Sequence, residues 1–378
     1  MSHSFSLRVG IDFHVVDGKF QGSRTHVLEL FAEVIRQSPD IQFYLLLDNP
    51  DELINISPVF SFFNVVRVRM PHTNPVARLI KQLPDMQKKY SLDVIHTQYI
   101  LPIFFDCKGM VTIHDVLFES HPQFFQYFFR LRSMIFMRYS AKKAAHIFTV
   151  SEYSRDEIAR RYDVTADKIT VIPNAADPNR FFPGDAGYEH VMARGLSPRN
   201  YILSVGRLEP RKNHAMLVRA YKQLGNNAPP LVIVGQRDFS YGELFKEVSR
   251  LDLSGQVLIF EDADDRELPA LYRNALLFVY PALAEGFGMP PLEALASGVP
   301  VVCSNSTSMP EVVGNAGLLV EPNDESALTE AMRKVLGNPS LALRLVSQGL
   351  LQSKQFSWQE SAHRVRKQYL TQIGGGAL

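Results

Sequence analysis

The sequence predicts two α/β domains, each a doubly wound parallel sheet with helices on both faces. A chain of 378 residues is too long for one ordinary core, so two domains are expected. A hydrophobic content of 46% with 21% charged residues is typical of globular proteins. Short apolar runs rich in β-branched residues alternate with segments of helical periodicity in both halves, which is the pattern of strands joined by crossover helices.

Six runs in the first half predict strands, and each ends in polar or turn residues. A segment of helical periodicity, THVLELFAEVIRQ, separates the first two. The runs are LRVGIDFHVV, IQFYLLLDNP, LDVIHTQY, GMVTIHDVLF, AHIFTVSEYS and ITVIPNAAD. Strands that alternate with helices predict a parallel sheet that is covered on both faces.

The second half repeats this pattern with six further runs: YILSVGRLEP, PLVIVGQRD, QVLIFEDAD, ALLFVYPA, VPVVCSNS and AGLLVEPND. Between the halves, PGDAGYEHVMARGLSPR loses the strand rhythm and is rich in Gly and Pro. We therefore predict a first domain over residues 1–183, a linker over 184–199 and a second domain over 200–356. Two such domains facing one another would place the carboxyl ends of their strands around a shared cleft, where ligands of these folds bind.

Composition excludes several classes of protein. A net charge of +1 argues against a dedicated nucleic-acid binder, and no apolar run approaches 18 residues. The N-terminal segment lacks the basic head and cleavage site of a signal peptide, so we expect a cytoplasmic protein. Cys107 and Cys303 lie in separate halves near apolar stretches, which favours two free thiols over a disulfide or a metal site.

The stretch EGFGMPPLEALASGVPVV follows a predicted strand and therefore lies at its carboxyl end. Gly286 and Gly288 permit close backbone approach, and they precede a helix start that two prolines mark. Exposed amides at a helix N-terminus bind anions such as phosphate. Glu293 falls in the first helical turn, where its oxygens could accept the two vicinal hydroxyls of a ribose. Alone, Glu293 and Glu285 would be expected to be solvated charges, but the surrounding glycines and prolines favour a site.

A second signal is VGRLEPRKN, again directly after a predicted strand. Arg207 and Lys212 bracket a turn that could direct both cations at one diphosphate, although basic loop residues are commonly just solvated. Positive charge from this loop, together with amides and a carboxylate from the other, predicts a site for a nucleoside diphosphate.

Two weaker signals come from the first half. His114 and Asp115 end a predicted strand in VTIHDVLFESHP, where His114 is either a satisfied turn residue or a hydrogen-bond partner for a transferred group. Gly22 and Ser23 precede a predicted helix and offer another approach to a phosphate.

Asp262 and Asp264 have a spacing that could hold a divalent cation. They come immediately before the predicted helix ELPALY, however, and acidic residues at that position cap a helix and complement its dipole. We prefer this explanation and predict no metal.

The stretch from Pro75 to Ala145 carries ten Lys and Arg against five Asp and Glu, and it includes FFQYFFRLRSMIFMRYSAKK. Basic residues interleaved with aromatic ones could rest on anionic lipid. Alternatively, the aromatic residues fill a core that the cations cover. The sequence shows no clean helical segregation, and both alternatives stay open.

The residues resemble a known family, the retaining glycosyltransferases of family 4, which have the GT-B fold. The resemblance rests on Glu285 and Glu293 in EGFGMPPLEALASGVPVV, on MPEVVGNAGLLVEPND, and on VGRLEPRKN. TIHDVLFESHP, VIPNAADPNRF, ELPALYRNA and FSWQESAHRV extend it over nearly the whole chain. In such proteins the last of these starts a helix that returns to the first domain, here about residues 357–378.

The resemblance implies a role for each matching residue. It assigns Arg207 and Lys212 to the donor diphosphate, Glu293 to the ribose, Glu285 to hydroxyls of the donor sugar and His114 to the neighbourhood of the reacting sugar. The remaining donor-binding positions that it implies are Gly22, Gly286, Phe287, Gly288 and Met289. Where the family often has a glycine pair in its first loop, this chain has Gly22 followed by Ser23.

The expected function is retaining, metal-independent transfer of a hexose to a hydroxyl of a glycan or lipid-linked saccharide in cell-surface polysaccharide synthesis. Similarity to bacterial mannosyltransferases makes GDP-mannose the expected donor, with no further cofactor. A UDP-hexose donor, a nucleotide-sugar epimerase and a non-catalytic nucleotide-sugar sensor stay open as alternatives. An NAD-dependent enzyme fits poorly, since no GxGxxG follows a predicted strand.

Overall fold

A computed structural model describes residues 5–17, 22–71, 74–238 and 240–373. The chain divides into two compact units, Met1–Asn174 with Ser357–Leu378 and Ala175–Phe356. Each unit contains one parallel sheet flanked by helices. The predicted fold class, two parallel-sheet α/β domains, is therefore confirmed.

The first unit holds a seven-stranded sheet in the order β3-β2-β1-β4-β5-β6-β7. Its strands are β1 Leu7–Asp12, β2 Ile41–Leu47, β3 Val65–Arg69, β4 Val94–Gln98, β5 Lys108–Thr112, β6 His146–Thr149 and β7 Ile169–Val171. Its helices are α1 Gly22–Gln37, α2 Glu52–Ile56, α3 Pro75–Ala77, α4 Leu83–Lys89, α5 Leu117–Ser120, α6 Tyr127–Lys143, α7 Glu152–Tyr162 and, at the C-terminal end, α16 Trp358–Ile373. A π-helical turn, Arg78–Gln82, joins α3 to α4.

The second unit holds a six-stranded sheet in the order β10-β9-β8-β11-β12-β13. Its strands are β8 Ile202–Val205, β9 Leu231–Val234, β10 Val257–Phe260, β11 Leu277–Tyr280, β12 Val301–Ser304 and β13 Gly317–Val320. Its helices are α8 Tyr188–Ala193, α9 His214–Lys222, α10 Gly242–Arg250, α11 Glu267–Arg273, α12 Met289–Ala296, α13 Met309–Val313, α14 Glu325–Leu336 and α15 Pro339–Ser353.

Local sequence signals explain where several helices begin. The side chains of Ser151, Asp324 and Asn338 each accept a hydrogen bond from a backbone amide in the first turn of α7, α14 and α15. Such capping satisfies amides that have no partner within the helix. After α12, Gly298 adopts φ +72°, a conformation that glycine supplies readily at a helix end.

The sequence analysis did not include β3. Its residues, VVRVR, alternate apolar and charged side chains, and the strand lies at the edge of the sheet. The other strands are nearly continuous apolar runs because both faces of a parallel sheet are buried. An edge strand with alternating polarity therefore departs from the pattern that identified the rest.

The boundary between the units also differs from the expected one. Residues 184–199 were expected to be a linker, whereas the structure places them inside the second unit, where they contain α8. The guanidinium of Arg194 holds this segment to α11 through two hydrogen bonds to Glu267, of 3.1 and 2.7 Å. The first unit ends at Asn174, before the expected position 183.

The C-terminal helix α16 belongs to the first unit. Its Tyr369 hydroxyl lies 2.7 Å from Nδ1 of the buried His96, and Ser361 donates to the carbonyl of Pro173 at 2.7 Å. The amide of Gln37 at the end of α1 donates to the carbonyl of Gln359 at 3.0 Å. These contacts attach the end of the described chain to the sheet and helices formed by its beginning.

Candidate active site

Two loops of the second unit leave the sheet at its topological switch point. Strand β8 pairs with β9 on one side and with β11 on the other, so the direction of winding reverses between β8 and β11. Ligands of doubly wound sheets bind outside the carboxyl ends of the strands at this point. Arg207 and Lys212 follow β8, and Glu285 follows β11.

Lys212 lies at the centre of the contacts between these loops. Its ammonium group donates to the hydroxyl of Tyr280 at 2.8 Å and to Oε1 of Glu285. The Tyr280 hydroxyl in turn donates to the same carboxylate oxygen at 2.7 Å. Burial and the neighbouring guanidinium of Arg211 lower the pKa of Lys212, while Glu285 opposes that shift. The structure therefore brings two of the predicted site residues, Lys212 and Glu285, into direct contact.

Arg211 is a member of this network that the sequence analysis missed. Its guanidinium lies 3.0 Å from Oε2 of Glu285, donates to Glu209 at 2.5 Å and donates to the carbonyl of Ala284 at 2.7 Å. The only sequence signal was a second basic residue beside Lys212. A 3₁₀ turn, Pro210–Lys212, directs both neighbouring side chains at one carboxylate, which sequence spacing alone does not specify.

Arg207 has different surroundings. It forms an ion pair with Asp238 at 2.6 Å, and its side chain is 42% exposed. The two cations that the sequence analysis grouped thus differ in the structure, because Lys212 is buried in a network and Arg207 lies at the surface of the same loop.

The glycine-rich turn after β11 depends on Gly288. This residue has φ +117°, and a Cβ placed on it would lie 2.3 Å from Cε of Met309. Helix α12 begins at Met289 with two prolines in its first turn, and prolines donate no N–H. The amides able to bind an anion at this helix start are those of Phe287, Gly288 and Met289, the positions that the sequence analysis named with Gly286.

The two glutamates of this segment have opposite electrostatic environments. Although burial alone would raise it, Arg211 and Lys212 together hold the pKa of Glu285 at about 2. Burial raises the pKa of Glu293 to about 7, against the lowering influence of the Tyr272 hydroxyl and Arg180. Near neutral pH, Glu285 is therefore a carboxylate, whereas Glu293 is poised between its two protonation states.

His114 lies in the first unit, after β5. Its Nε2 is 3.1 Å from Oε1 of Gln98, and its ring packs edge-on against His26 with centroids 4.5 Å apart. Burial, with smaller contributions from His26 and His96, lowers the pKa of His114 well below its usual range. The side chain is 8% exposed, so it is a neutral, nearly buried imidazole.

Gly22 is the exposed first residue of α1. The loop before it, residues 18–21, lies outside the described residues. The predicted approach of this loop to a phosphate stays a prediction.

A cluster at the carboxyl end of β1 was also missed. Asp12 is fully buried and accepts a hydrogen bond from Arg78, and its Oδ1 lies 3.0 Å from Nδ1 of His14. Although burial opposes them, these two partners hold the pKa of Asp12 below its usual range. The sequence signal was the polar pair that ends the run GIDFH, but its partner Arg78 lies 66 positions away.

Asp262 and Asp264 form hydrogen bonds near the start of helix α11. Asp264 accepts hydrogen bonds from the backbone amides of Arg266 and Glu267 at 2.8 and 2.9 Å, and Asp262 accepts from Arg194 at 2.8 Å. Among the residues that the structure describes, no group of three or more His, Cys, Asp or Glu is placed to bind a metal ion.

Comparisons with known proteins give the family. A family model described as Glycosyltransferase Family 4 matches residues 20–180, and one described as Glycosyl transferases group 1 matches residues 193–351. An O-antigen chain mannosyltransferase B of Escherichia coli is 37% identical over 257 residues, which are 67% of this chain and 67% of that protein. The O-antigen chain mannosyltransferase RfbU of Salmonella typhimurium is 31% identical over 227 residues, 60% of each chain.

The solved structure of a sucrose-phosphate synthase from Thermosynechococcus elongatus shares the fold, with a TM-score of 0.77 at 21% identity over 98% of this chain and 100% of that one. Together with the two parallel sheets, these similarities define a glycosyltransferase with the GT-B fold. The chain belongs to glycosyltransferase family 4.

Proposed function

We propose that the protein transfers mannose from GDP-mannose to a hydroxyl of a glycan or lipid-linked saccharide in cell-surface polysaccharide synthesis. The anomeric configuration is retained and no metal is required. The names of the relatives support the sugar and the pathway, since two of them are O-antigen chain mannosyltransferases. The residue types at the switch point of the second unit support a nucleotide-sugar donor.

The observation that carries this proposal is the position of the Lys212 ammonium. Its partners Tyr280 and Glu285 account for two of the three hydrogen bonds that an ammonium donates. We assign the third to an oxygen of the donor diphosphate. Because Tyr280 and Glu285 already hold the side chain, little rotamer entropy is lost when the donor binds.

Charge develops on the diphosphate as the bond to the sugar breaks. Lys212, Arg207 and the amides of Phe287, Gly288 and Met289 are the groups that we assign to it. Preorganised donors of this kind contribute on the order of several kcal/mol to the barrier reduction. Such cations can take the place that a divalent metal has in other enzymes of this class of reaction, which supports the metal-independent part of the proposal.

Glu293 is assigned to the ribose and Glu285 to hydroxyls of the donor sugar. Glu285 is held by two cations, Arg211 and Lys212, which makes its carboxylate a weak nucleophile. We therefore assign it to positioning and electrostatic stabilisation, with attack on the same face of the sugar and proton transfer to the leaving phosphate. His114 is proposed as a hydrogen-bond partner of the transferred sugar, and Gly22 as part of the donor-binding backbone.

A donor-panel assay tests the proposal. The full chain is incubated with GDP-mannose, GDP-fucose, UDP-glucose or UDP-galactose, with and without lipid-linked saccharide acceptors, and released nucleoside diphosphate is measured. We expect acceptor-dependent release from GDP-mannose, unchanged after treatment with EDTA, and an axial product linkage by NMR.

Each alternative has its own result in this assay. Preference for a UDP-hexose would replace the proposed donor. A new sugar isomer without acceptor would indicate an epimerase, and donor binding without release under any condition would indicate a sensor.

A further inference from the structure

Helix α6 presents large apolar side chains to solvent. Phe128 is 83% exposed and Ile135 is 57% exposed, and Tyr127, Phe129 and Leu131 are exposed as well. Phe128, Leu131 and Ile135 follow one another at intervals of three and four residues, so they lie on one side of the helix. Exposed apolar side chains grouped in this way mark an interaction surface more often than isolated ones do.

The same helix is strongly basic. Tyr127–Lys143 contains five Arg and Lys and no Asp or Glu. Of these cations, Arg132, Arg138, Lys142 and Lys143 are exposed. The first three are spaced by six and four positions on the side of the helix that carries the exposed apolar residues. We call Phe128, Leu131, Ile135, Arg132, Arg138 and Lys142 the α6 surface.

In helix α7, which follows α6 in the chain, arginines are paired with a glutamate of the same helix. There Glu157 accepts from Arg160 at 2.5 Å and from Arg161 at 2.7 Å. Each arginine is thus neutralised within its own helix. Helix α6 itself contains no carboxylate that could pair with its cations, so the helix is a source of positive potential.

The α6 surface continues onto an adjacent segment. The hydroxyl of Tyr139 donates to the carbonyl of Ile103 at 3.0 Å, and the amide of Ile103 donates to the carbonyl of Leu79 at 3.3 Å. Phe104, which follows, is 64% exposed, and Ile80 beside Leu79 is also exposed. The neighbours of these two exposed residues, Ile103 and Leu79, are thus linked to the helix by hydrogen bonds.

The opposite side of α6 is firmly packed. Ser133, Met137, Ser140 and Ala141 are buried, and the Ser140 hydroxyl accepts from the amide of Leu101 at 2.9 Å. The exposed side chains therefore stand on a fixed helix. The sequence analysis left a lipid surface and a covered core as alternatives, and the exposure of Phe128 and Ile135 removes the core for these two residues.

We propose that the α6 surface binds the surface of an anionic phospholipid bilayer, with the helix lying in the plane of the interface. The apolar side chains enter the boundary between head groups and acyl chains, and Arg132, Arg138 and Lys142 contact lipid phosphates. Within the described residues, no helix is both long and apolar enough to cross a bilayer, and this mode of binding requires none.

Two other kinds of binding partner for the α6 surface fit the observations less well. A symmetric dimer through this surface would bring the cations of one copy against those of the other, since a two-fold interface pairs a patch with itself. A nucleic acid would neutralise the cations but leave Phe128 and Ile135 in water. A lipid interface accommodates both kinds of side chain.

Sedimentation of the full chain with vesicles tests the proposal. Vesicles of phosphatidylcholine alone are compared with vesicles containing about a third phosphatidylglycerol, at low and at high salt. We expect binding to the anionic vesicles only, weakened by salt. A cation near an anionic surface contributes a factor of about five to the partition coefficient, so the triple variant Arg132→Gln, Arg138→Gln, Lys142→Gln should bind about 100-fold more weakly.

Matched control variants separate this surface from general effects. The triple variant Lys246→Gln, Lys334→Gln, Arg344→Gln removes the same charge from exposed positions of the second unit and should bind as the unchanged chain does. Phe128→Ser with Ile135→Ser should weaken binding, whereas Leu343→Ser with Leu351→Ser, at similarly exposed positions of α15, should not.

The proposal is overturned if the unchanged chain stays in the supernatant with anionic vesicles at low salt, or if both triple variants lose binding equally. Self-association in analytical ultracentrifugation that Phe128→Ser abolishes, without vesicle binding, would identify a second copy of the chain as the partner. Vesicle binding does not depend on the donor, so these outcomes are independent of the proposed transfer reaction.

Discussion

Lys212 and Glu285 meet through a direct ion pair although 73 positions separate them in sequence. Strands β8 and β11, after which they come, are hydrogen-bonded neighbours, so the topology of the sheet brings the two loops together. Tyr280 and Arg211 complete the network. The predicted roles of both residues therefore depend on the same ion pair. A ligand that binds Lys212 also lies close to the negative charge of Glu285.

Replacing Lys212 by Ala should lower turnover by about 10²- to 10³-fold, the range typical when a preorganised electrostatic donor is removed. The fold should persist because Arg211 still neutralises Glu285. Turnover is measured as nucleoside diphosphate release, and circular dichroism checks the fold. Lys222→Ala, an exposed lysine at the end of α9, is the control and should stay active. Near-normal turnover in Lys212→Ala would contradict the assigned role.

Replacing Gly288 by Ala should destabilise the second unit by about 1–3 kcal/mol, because alanine is strained at φ +117°. Gly242→Ala provides the comparison, since nothing lies within 4 Å of a Cβ placed there at the start of α10. Urea unfolding measures both variants. Equal midpoints for the two would show that the turn before α12 tolerates a side chain.

Much of the fold follows from the sequence because strand runs and helical periods are local signals. The sequence analysis missed strand β3 because its residues, VVRVR, alternate in polarity as an edge strand does, whereas the other strands are buried apolar runs. Residues 184–199 resembled a linker in composition, but the structure packs Arg194 against Glu267, 73 positions away. A contact between residues so far apart in the sequence cannot be predicted from local composition.

The candidate site, like the fold, could be predicted from the sequence only in part. Glu285, Gly288 and Lys212 stand in motifs with recognisable neighbours, so the sequence predicts them as candidates. Arg211 could not be ranked beside Lys212, since the geometry of one 3₁₀ turn decides that both side chains reach Glu285. The opposite pKa shifts of Glu285 and Glu293 depend on burial and on cations from distant segments, which spacing does not encode.

Glu293 should make the protein less stable as the pH rises. Its pKa is about 7 in the folded protein against 4.5 as a free side chain, so its favourable contribution is complete below pH 4.5 and is lost as the pH rises through 7. Between pH 5 and pH 8 the unchanged chain should lose about 2 kcal/mol that Glu293→Gln does not lose. Urea unfolding at the two pH values measures this, with Glu243→Gln as an exposed control on α10. Parallel pH dependence in all three proteins would contradict the raised pKa of Glu293.

Glu285 should show the opposite dependence, although it lies only eight positions earlier in the chain. Its folded pKa of about 2 is below the free value of 4.5, so its contribution is complete above pH 4.5 and is lost as the pH falls through 2. Glu285→Gln leaves the buried Lys212 without a carboxylate partner, although Arg211 keeps Glu209, and it should cost about 3 kcal/mol at pH 6. That difference from the unchanged chain should shrink to about 1 kcal/mol at pH 3, because the unfolded chain then takes up a proton on Glu285 while the native side chain stays largely ionised. Urea unfolding of both proteins at pH 6 and pH 3 measures it. A stability difference that stays constant or widens on acidification would mean that the two cations do not hold Glu285 ionised.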